Sequence, residues 1–350
     1  MARTRVSQFL DGAGAFSMLL RLRSAVRSEW LTVLTYHRVA NPRATSAVDD
    51  EVIDARPDAF DRQLAYLRRY CNVVELDEVV EFRKGKALPP NPVLVTFDDG
   101  YLDNIEVALP MLQRHGMKAV FFIATSYVND RRLFWWDRVS YLLKQSTKEV
   151  LELTYPRIMK LPLGKDREST RRRILSVIKL HFGLDLPRFL DELARASGVS
   201  LSAEAERQMV DELLMTWDHV RALKRAGMAV ESHTRTHRVL QTLTAKDLAD
   251  ELGGSREELE GVLGSKVTAV AYPVRGLHFA AEVRAAIRAA GYELGFSTGR
   301  GMNHAWTFDP LDVKRISLER DLPDSFFHGM VALPYFAYEP DPRGRISRVG

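Results

Sequence analysis

Pro92-Val93-Leu94-Val95-Thr96-Phe97 is an apolar, partly β-branched run that ends at the acidic turn Asp98-Asp99-Gly100. Pro89 and Pro90 bound the run on its other side. A short continuous apolar run between turn signals is typical of a strand that is buried on both faces, as in a parallel sheet. The stretch therefore predicts a central strand of an α/β fold, with two carboxylates at the end of that strand.

The same alternation of buried strand and amphipathic helix recurs on both sides of this stretch. Further strands are predicted at 31–36, 118–125, 228–231, 267–272 and 293–297, and helices at 57–70, 217–226, 244–263 and 280–290. Strands that alternate with helices predict a parallel sheet, because parallel neighbours need crossover connections. We expect this sheet to close into a barrel. No Gly-x-Gly-x-x-Gly loop follows the first strand, which weakens the dinucleotide-binding alternative.

Bulk composition narrows the class of protein. The chain has 350 residues, 46% of them apolar, which suits one barrel domain of about 250 residues with an insertion. The net charge of +4 is a small difference between 50 basic and 46 acidic residues, and it gives no indication of nucleic-acid binding. The single cysteine, Cys71, excludes an intrachain disulfide and a cysteine-based zinc cluster.

Asp98 and Asp99 are the first candidates for chemistry. Two adjacent carboxylates at a strand end repel each other, and a bound cation would offset that repulsion. One carboxylate could then bind the metal while the other, turned differently by the backbone, faces a substrate. An ordinary Asp-Gly turn that reverses the chain explains the same residues equally well.

Ser232-His233-Thr234-Arg235-Thr236-His237 is the second candidate, directly after the predicted strand 228–231. Two histidines four residues apart can bring two imidazoles onto one ion. The pair follows a strand, and parallel barrels carry their active sites at the carboxyl ends of strands. One carboxylate with two imidazoles leaves positions open for water and substrate, as in catalytic metal sites. A structural role for each histidine is the plainer alternative.

Together, three segments resemble the polysaccharide deacetylases of carbohydrate esterase family four, which include the chitooligosaccharide deacetylases. These segments are Thr96 to Gly100, the pair His233 and His237, and Ala271-Tyr272-Pro273. The resemblance implies a distorted (β/α) barrel and a divalent metal, most often zinc. It implies Asp98 as general base, and Asp99, His233 and His237 as metal ligands.

The resemblance implies further roles that fit this chain less closely. Tyr272 would offer its backbone N–H to the oxyanion, and His37 and Pro273 would line the substrate pocket. Many family members carry an arginine early in the third motif that orients the base, and 267–271 contains none. Many also carry a late histidine that serves as general acid. His304 is the nearest candidate for that role here.

The predicted division of the chain follows these motifs. Residues 1–30 are expected to form an amphipathic helix, 31–128 and 216–330 the barrel, 129–215 a helical insertion, and 331–350 a tail. The aromatic cluster Phe134-Trp135-Trp136 opens the insertion. These rings either stack on a sugar or anchor the insertion.

Residues 1–30 leave two interpretations open. An apolar stripe that includes Phe9, Phe16 and Leu20 is surrounded by arginines, and Asp11 interrupts it, so a signal peptide is not expected. The segment either lies on an anionic membrane or packs on its own domain. The expected location is cytoplasmic, peripheral to the inner membrane in the first interpretation.

The expected function is metal-dependent removal of an N-acyl group, first of all acetyl, from an amino sugar. The substrate class would be a polysaccharide or lipid-linked glycan, with a role in exopolysaccharide biosynthesis. A deformylase or amidase on the same barrel is one alternative. A carbohydrate-binding protein with a degenerate site is another, and the sequence leaves the oligomeric state open.

Overall fold

The computed structural model describes residues 2–25, 29–42, 48–164, 167–274, 280–299 and 302–334, with side chains from residue 5 onward. The part of the predicted tail from 335 to 350 lies outside the described residues. The strands are β1 Trp30–Tyr36, β2 Arg38–Val39, β3 Ile53–Ala55, β4 Asn72–Val73, β5 Pro92–Phe97, β6 Val120–Ile123, β7 Val150–Leu153, β8 Met159–Pro162, β9 Ala229–Ser232, β10 Ala269–Ala271, β11 Leu294–Ser297, β12 Asn303–His304, β13 Val313–Lys314 and β14 Ile316–Ser317.

The helices surround this sheet and fill the insertion. They are α1 Ala2–Gly12, α2 Ala15–Arg23, α3 Pro57–Tyr70, α4 Leu76–Arg83, α5 Leu109–Arg114, α6 Thr125–Asp130, α7 Trp135–Gln145, α8 Arg167–Leu180, α9 Leu186–Ser197, α10 Ala203–Asp211, α11 Trp217–Arg225, α12 Ala245–Ala249, α13 Ser255–Leu263, α14 Ala281–Ala289 and α15 Asp324–Ala332. Helix α3 illustrates the local causes: Pro57 sits in its first turn, and Phe60, Leu64 and Leu67 bury one face. None of the described helices is long and apolar enough to cross a bilayer.

A mostly parallel sheet forms a nearly closed barrel. Its main path runs β12-β1-β5-β6-β9-β10-β11-β13. Strand β13 pairs with β11 on one side of the gap, and β14, one residue further along the chain, pairs with β1 on the other side. The short β13–β14 segment therefore spans the seam of the barrel. The expected barrel is confirmed, with β12 as an antiparallel addition beside β1.

The insertion has a hydrophobic core of its own. This core is separate from the two hydrophobic clusters of the barrel. Its buried residues include Phe134, Trp136, Leu151, Phe189 and Leu193. Besides the helices α7 to α10, the insertion contains an antiparallel pair, β7 and β8, which the sequence analysis did not predict. These strands alternate exposed and buried residues, so one face of the pair packs on the helices.

Helices α1 and α2 pack on the barrel domain. Phe16 and Leu20 are buried in the main core, and both helices contact α15. Ser7 lies within hydrogen-bond distance of Ser325, and His328 of α15 pairs with Asp11 at 2.8 Å. The packed interpretation of residues 1–30 is therefore right for the inner face of these helices.

Candidate active site

Asp99, His233 and His237 converge at the carboxyl ends of β5 and β9. The Nε2 atoms of His233 and His237 lie 3.4 and 3.5 Å from Asp99 Oδ1. One potential ligand atom from each residue lies within 4.8 Å of the other two, and all three side chains are buried. The predicted ligand set is thus brought together within reach of a single ion.

The surrounding structure fixes which nitrogen of His233 faces the centre and holds the backbone and ring of His237 in place. His233 Nδ1 lies 2.9 Å from the carbonyl oxygen of Ala271, to which its N–H donates. This leaves the Nε2 lone pair directed at Asp99, the arrangement usual for metal-binding histidines. The backbone of His237 is held by Trp135, whose indole N–H donates to the His237 carbonyl, and the Trp136 ring packs 4.5 Å from the imidazole. The aromatic cluster therefore anchors the insertion and also positions a ligand.

Backbone strain is concentrated at this site. Among the described residues, six other than glycine have positive φ, and four of them are Asp99, Thr234, His237 and Val274. Such conformations cost about 1–3 kcal/mol each and persist where the surrounding structure imposes them. The positive φ values of Asp99 and His237 turn these two side chains toward the centre. A regular extended backbone after each strand would direct them elsewhere.

The three-residue set fits a divalent cation on its own chemistry. Asp99 Oδ1 is buried and accepts no hydrogen bond from any described residue. Burial is the main cause that lowers the pKa of His237 well below its usual value, and the neutral imidazole is the form that binds a metal. A buried carboxylate oxygen without a donor is costly, and an ion between these three groups would satisfy it.

Asp98 lies next to this centre and is bound by an arginine that the sequence analysis missed. The Arg315 guanidinium donates to both carboxylate oxygens, at 2.7 and 2.8 Å, and its side chain has no exposed surface. Burial by itself raises the pKa of Asp98, but the Arg315 charge, with His233 and His37 nearby, outweighs it and lowers this pKa. Asp98 is therefore an ionised carboxylate within 3.9 Å of His233 Nε2.

Arg315 occupies the seam between β13 and β14. It belongs to the segment that closes the barrel, and it takes the place of the base-orienting arginine that the third motif lacks. Nothing in the local sequence Lys314-Arg315-Ile316 distinguishes it from a surface arginine.

His37 follows β1 and forms a pair with Asp54 of β3. Its Nδ1 lies 2.9 Å from Asp54 Oδ2, and its backbone N–H donates to the same oxygen. Burial by itself lowers the pKa of an imidazole, but the charge and hydrogen bond of Asp54, with Asp98 and Asp99 nearby, raise the pKa of His37 to about 10. Asp54 therefore favours the protonated form of His37, which lies near the candidate metal ligands.

A pocket of about 40 Å³ opens between these groups and the insertion. His37, Asp54, Asp99 and His237 line one side of it, while the apolar side chains on the other side are Val52, Trp135, Trp136 and Leu175. A space of this size takes a few water molecules or one small acyl group. His37 thus lies in the expected pocket, whereas Pro273, which is buried after β10, is not among the residues that line it.

Comparison with known proteins adds family evidence to this geometry. The family model described as polysaccharide deacetylase matches residues 85–160 and 192–295, just over half of the chain. The chain belongs to the polysaccharide deacetylase family. This membership confirms the resemblance noted in the sequence. The matched residues include Asp98, Asp99 and both histidines.

Three similar proteins are distant from this chain in sequence. A putative polysaccharide deacetylase, YxkH of Bacillus subtilis, is 20% identical over 273 residues, which cover 77% of this chain and 65% of that protein. The Streptococcus pyogenes deacetylase PplD, solved with acetate, superposes with a TM-score of 0.55 at 18% identity, covering 85% of this chain and 95% of that one. IcaB from Ammonifex degensii gives 0.54 at 19% identity, with coverage of 89% and 98%. At these identities the structures establish the shared fold.

The geometry corrects one role expected of the deacetylase's third motif. The Tyr272 N–H donates to the Phe296 carbonyl at 2.9 Å within the sheet, so it is not available to an oxyanion. The Tyr272 hydroxyl donates to the Leu311 carbonyl, which directs the side chain away from the centre. Since proline has no N–H, the next backbone donor after Tyr272 is Val274, at one of the positive-φ positions.

The expected role of His304 is not supported by its position. His304 lies opposite Trp30, the first residue of β1, whereas His37 follows the last residue of that strand. Its imidazole stacks on Trp306 instead. Seven strand residues separate the two ends, about 20 Å at the usual rise, so His304 cannot protonate a group bound near Asp99.

Proposed function

We propose that this chain is a metal-dependent hydrolase that removes an N-acetyl group from an amino sugar of a polysaccharide or lipid-linked glycan. The observation that carries the proposal is the ionised Asp98, held by Arg315, beside the Asp99–His233–His237 set. Family membership supports deacetylation of a glycan, and the small pocket supports a short acyl group. The choice of zinc rests on the ligand types, two imidazoles and one carboxylate.

Two different residues, Asp98 and His37, carry out the two proton transfers of the proposed reaction. A divalent cation held by Asp99, His233 and His237 would polarise the acyl carbonyl and lower the pKa of a coordinated water. Asp98 accepts the proton of the attacking water, because Arg315 holds it as a carboxylate and fixes its orientation. The Val274 N–H is the donor of the third motif that remains for the oxyanion.

His37 supplies the general acid in this proposal, in place of His304. The amine that leaves a sugar must gain a proton, and Asp54 favours the protonated form of His37 that can supply it. Asp54 accepts from Nδ1, which leaves the proton on Nε2 as the one that His37 can donate. Asp54 therefore favours the protonated form of the acid, His37, just as Arg315 favours the ionised form of the base, Asp98.

Acetate release from defined glycans tests the proposal directly. The full chain, depleted of metal with a chelator and reloaded with Zn²⁺, would be incubated with N-acetylated and N-formylated amino-sugar oligosaccharides. We expect acetate release that depends on the added metal and is lost in His233→Ala. Release of formate alone would indicate a deformylase, and zinc binding without release of either acid would indicate a binding protein.

The pH profile of Asp54→Asn tests the acid. Because His37 must be protonated to act, activity of the wild type should fall as the pH rises through the pKa of His37, which Asp54 raises above its usual value. Without the Asp54 charge, burial lowers that pKa, so the alkaline limb should move down by about two pH units or more. The measurement is kcat against pH on the best oligosaccharide.

A second Asp–His pair provides the matched control. Asp61 pairs with His115 at 2.9 Å on the outer surface of the barrel. Asp61→Asn should leave the alkaline limb where it is. An unchanged limb in Asp54→Asn as well would remove His37 from the role of acid.

A further inference from the structure

The outward face of α1 and α2 carries an unusual share of exposed apolar surface. Ten large hydrophobic side chains in the described part of the chain are exposed, and four of them lie on these two helices. They are Val6, Phe9, Met18 and Leu22, with exposed fractions of 51, 76, 62 and 66%. Val6 and Phe9 are three residues apart on α1, and Met18 and Leu22 are four residues apart on α2. Each pair therefore lies on one face of its helix.

The inner face of the same helices is already used for packing. Phe16 and Leu20 are buried, and the ion pair of Asp11 with His328 ties α1 to α15. Arg23 donates to the Ala332 carbonyl at the end of α15. The helices are therefore docked by one face, and the four exposed side chains contribute nothing to the core of the protein.

The charges beside this apolar face are basic. Arg5 and Arg21 are exposed, and Arg21 lies over the Tyr70 ring at 5.6 Å, as does Arg69 of α3 at 5.3 Å. Positions 5–25 contain one acidic residue, Asp11, and its carboxylate is already paired with His328. Exposed apolar side chains bordered by arginines are typical of helices that lie in the headgroup region of an anionic bilayer.

An exposed tryptophan extends this surface toward the amino ends of the barrel strands. Trp306 is 66% exposed and stacks on His304 at 4.9 Å. His304 in turn meets the Trp30 ring, which lies under the Arg23 guanidinium at 4.2 Å. Tryptophan is enriched where proteins meet the membrane–water interface, because its ring is apolar and its N–H is polar.

We infer that α1, α2 and Trp306 form a surface that binds an anionic lipid bilayer. A second copy of the chain is a poorer occupant, because the arginines of two like surfaces would repel each other. Since Trp30 and His304 mark the barrel end opposite the metal ligands, the bound protein directs its active site away from the bilayer. The inference is independent of the proposed function.

Vesicle sedimentation with the full chain tests this surface. The wild type should bind vesicles of phosphatidylcholine mixed with phosphatidylglycerol, bind phosphatidylcholine alone much more weakly, and lose binding as salt is added. The double variant Phe9→Ser/Leu22→Ser should bind the mixed vesicles at least roughly tenfold more weakly. Arg5→Glu/Arg21→Glu should lose the preference for phosphatidylglycerol.

Matched controls come from the insertion. Phe182 and Leu180 are 65 and 51% exposed, so Phe182→Ser/Leu180→Ser removes similar apolar surface elsewhere and should bind as the wild type does. Arg172→Glu/Arg173→Glu is the control for charge. Equal binding by the Phe9/Leu22 variant and its control would overturn the inference, as would no binding by the wild type. A wild-type dimer that Phe9→Ser/Leu22→Ser converts to a monomer would also overturn it, in favour of self-association.

Discussion

Asp98→Asn is expected to bind metal as the wild type does while its turnover falls by about 100-fold or more. The three proposed ligands are untouched by the change, but an amide cannot accept a proton from attacking water. The measurement combines kcat on an N-acetylated oligosaccharide with zinc content per chain. The combination separates loss of the base from loss of the metal.

A surface carboxylate gives the control for Asp98→Asn. Asp309 also accepts two hydrogen bonds from one arginine, Arg284, yet it is partly exposed and distant from the ligands. Asp309→Asn should retain turnover within about twofold, since its pair is exposed to solvent. Near-normal turnover by Asp98→Asn would remove Asp98 from the role of base and with it the proposed mechanism.

Arg315→Met is expected to lower the free energy of unfolding by about 3–5 kcal/mol, because it leaves Asp98 as a buried carboxylate without a countercharge. Activity should fall as well, since the base loses both its orientation and its low pKa. Urea unfolding, followed by circular dichroism, measures the stability term.

The double variant Asp98→Asn/Arg315→Met makes this prediction specific to charge. It should recover much of the lost stability, because no charge then remains buried at the seam. Arg284→Met, the surface counterpart, should cost about 1 kcal/mol or less apart from its lost packing. Equal losses in the double variant and in Arg315→Met would mean that Arg315 contributes by packing alone.

The local parts of the fold could be predicted from sequence. Strand β5 and helix α3 have the predicted bounds, because prolines and an Asp-Gly turn mark their ends and their apolar patterns are unambiguous. The alternation at Leu151-Leu153 and Met159-Leu161 also marks strands, but the charged, helix-forming composition around it favoured helix. The three candidate metal ligands could be predicted because they lie in the short segments that follow β5 and β9.

The partners that tune the site could not be predicted in this way. Arg315 acts on a residue 217 positions away and Asp54 on one 17 positions away. Only the closure of the barrel and the β2–β3 pairing bring these partners into contact. The role expected of Tyr272 failed because a motif does not reveal which N–H groups a sheet has already used. His304 failed because order along the chain does not tell which end of a barrel a residue reaches.

The position of Arg315 at the barrel seam bears on how the protein is made. Asp99, His233 and His237 leave the ribosome well before Arg315 does, so an emerging chain holds the candidate ligands before it holds the countercharge of Asp98. Docking of the β13–β14 segment, which closes the ring of strands, is the step that brings the Arg315 guanidinium onto Asp98.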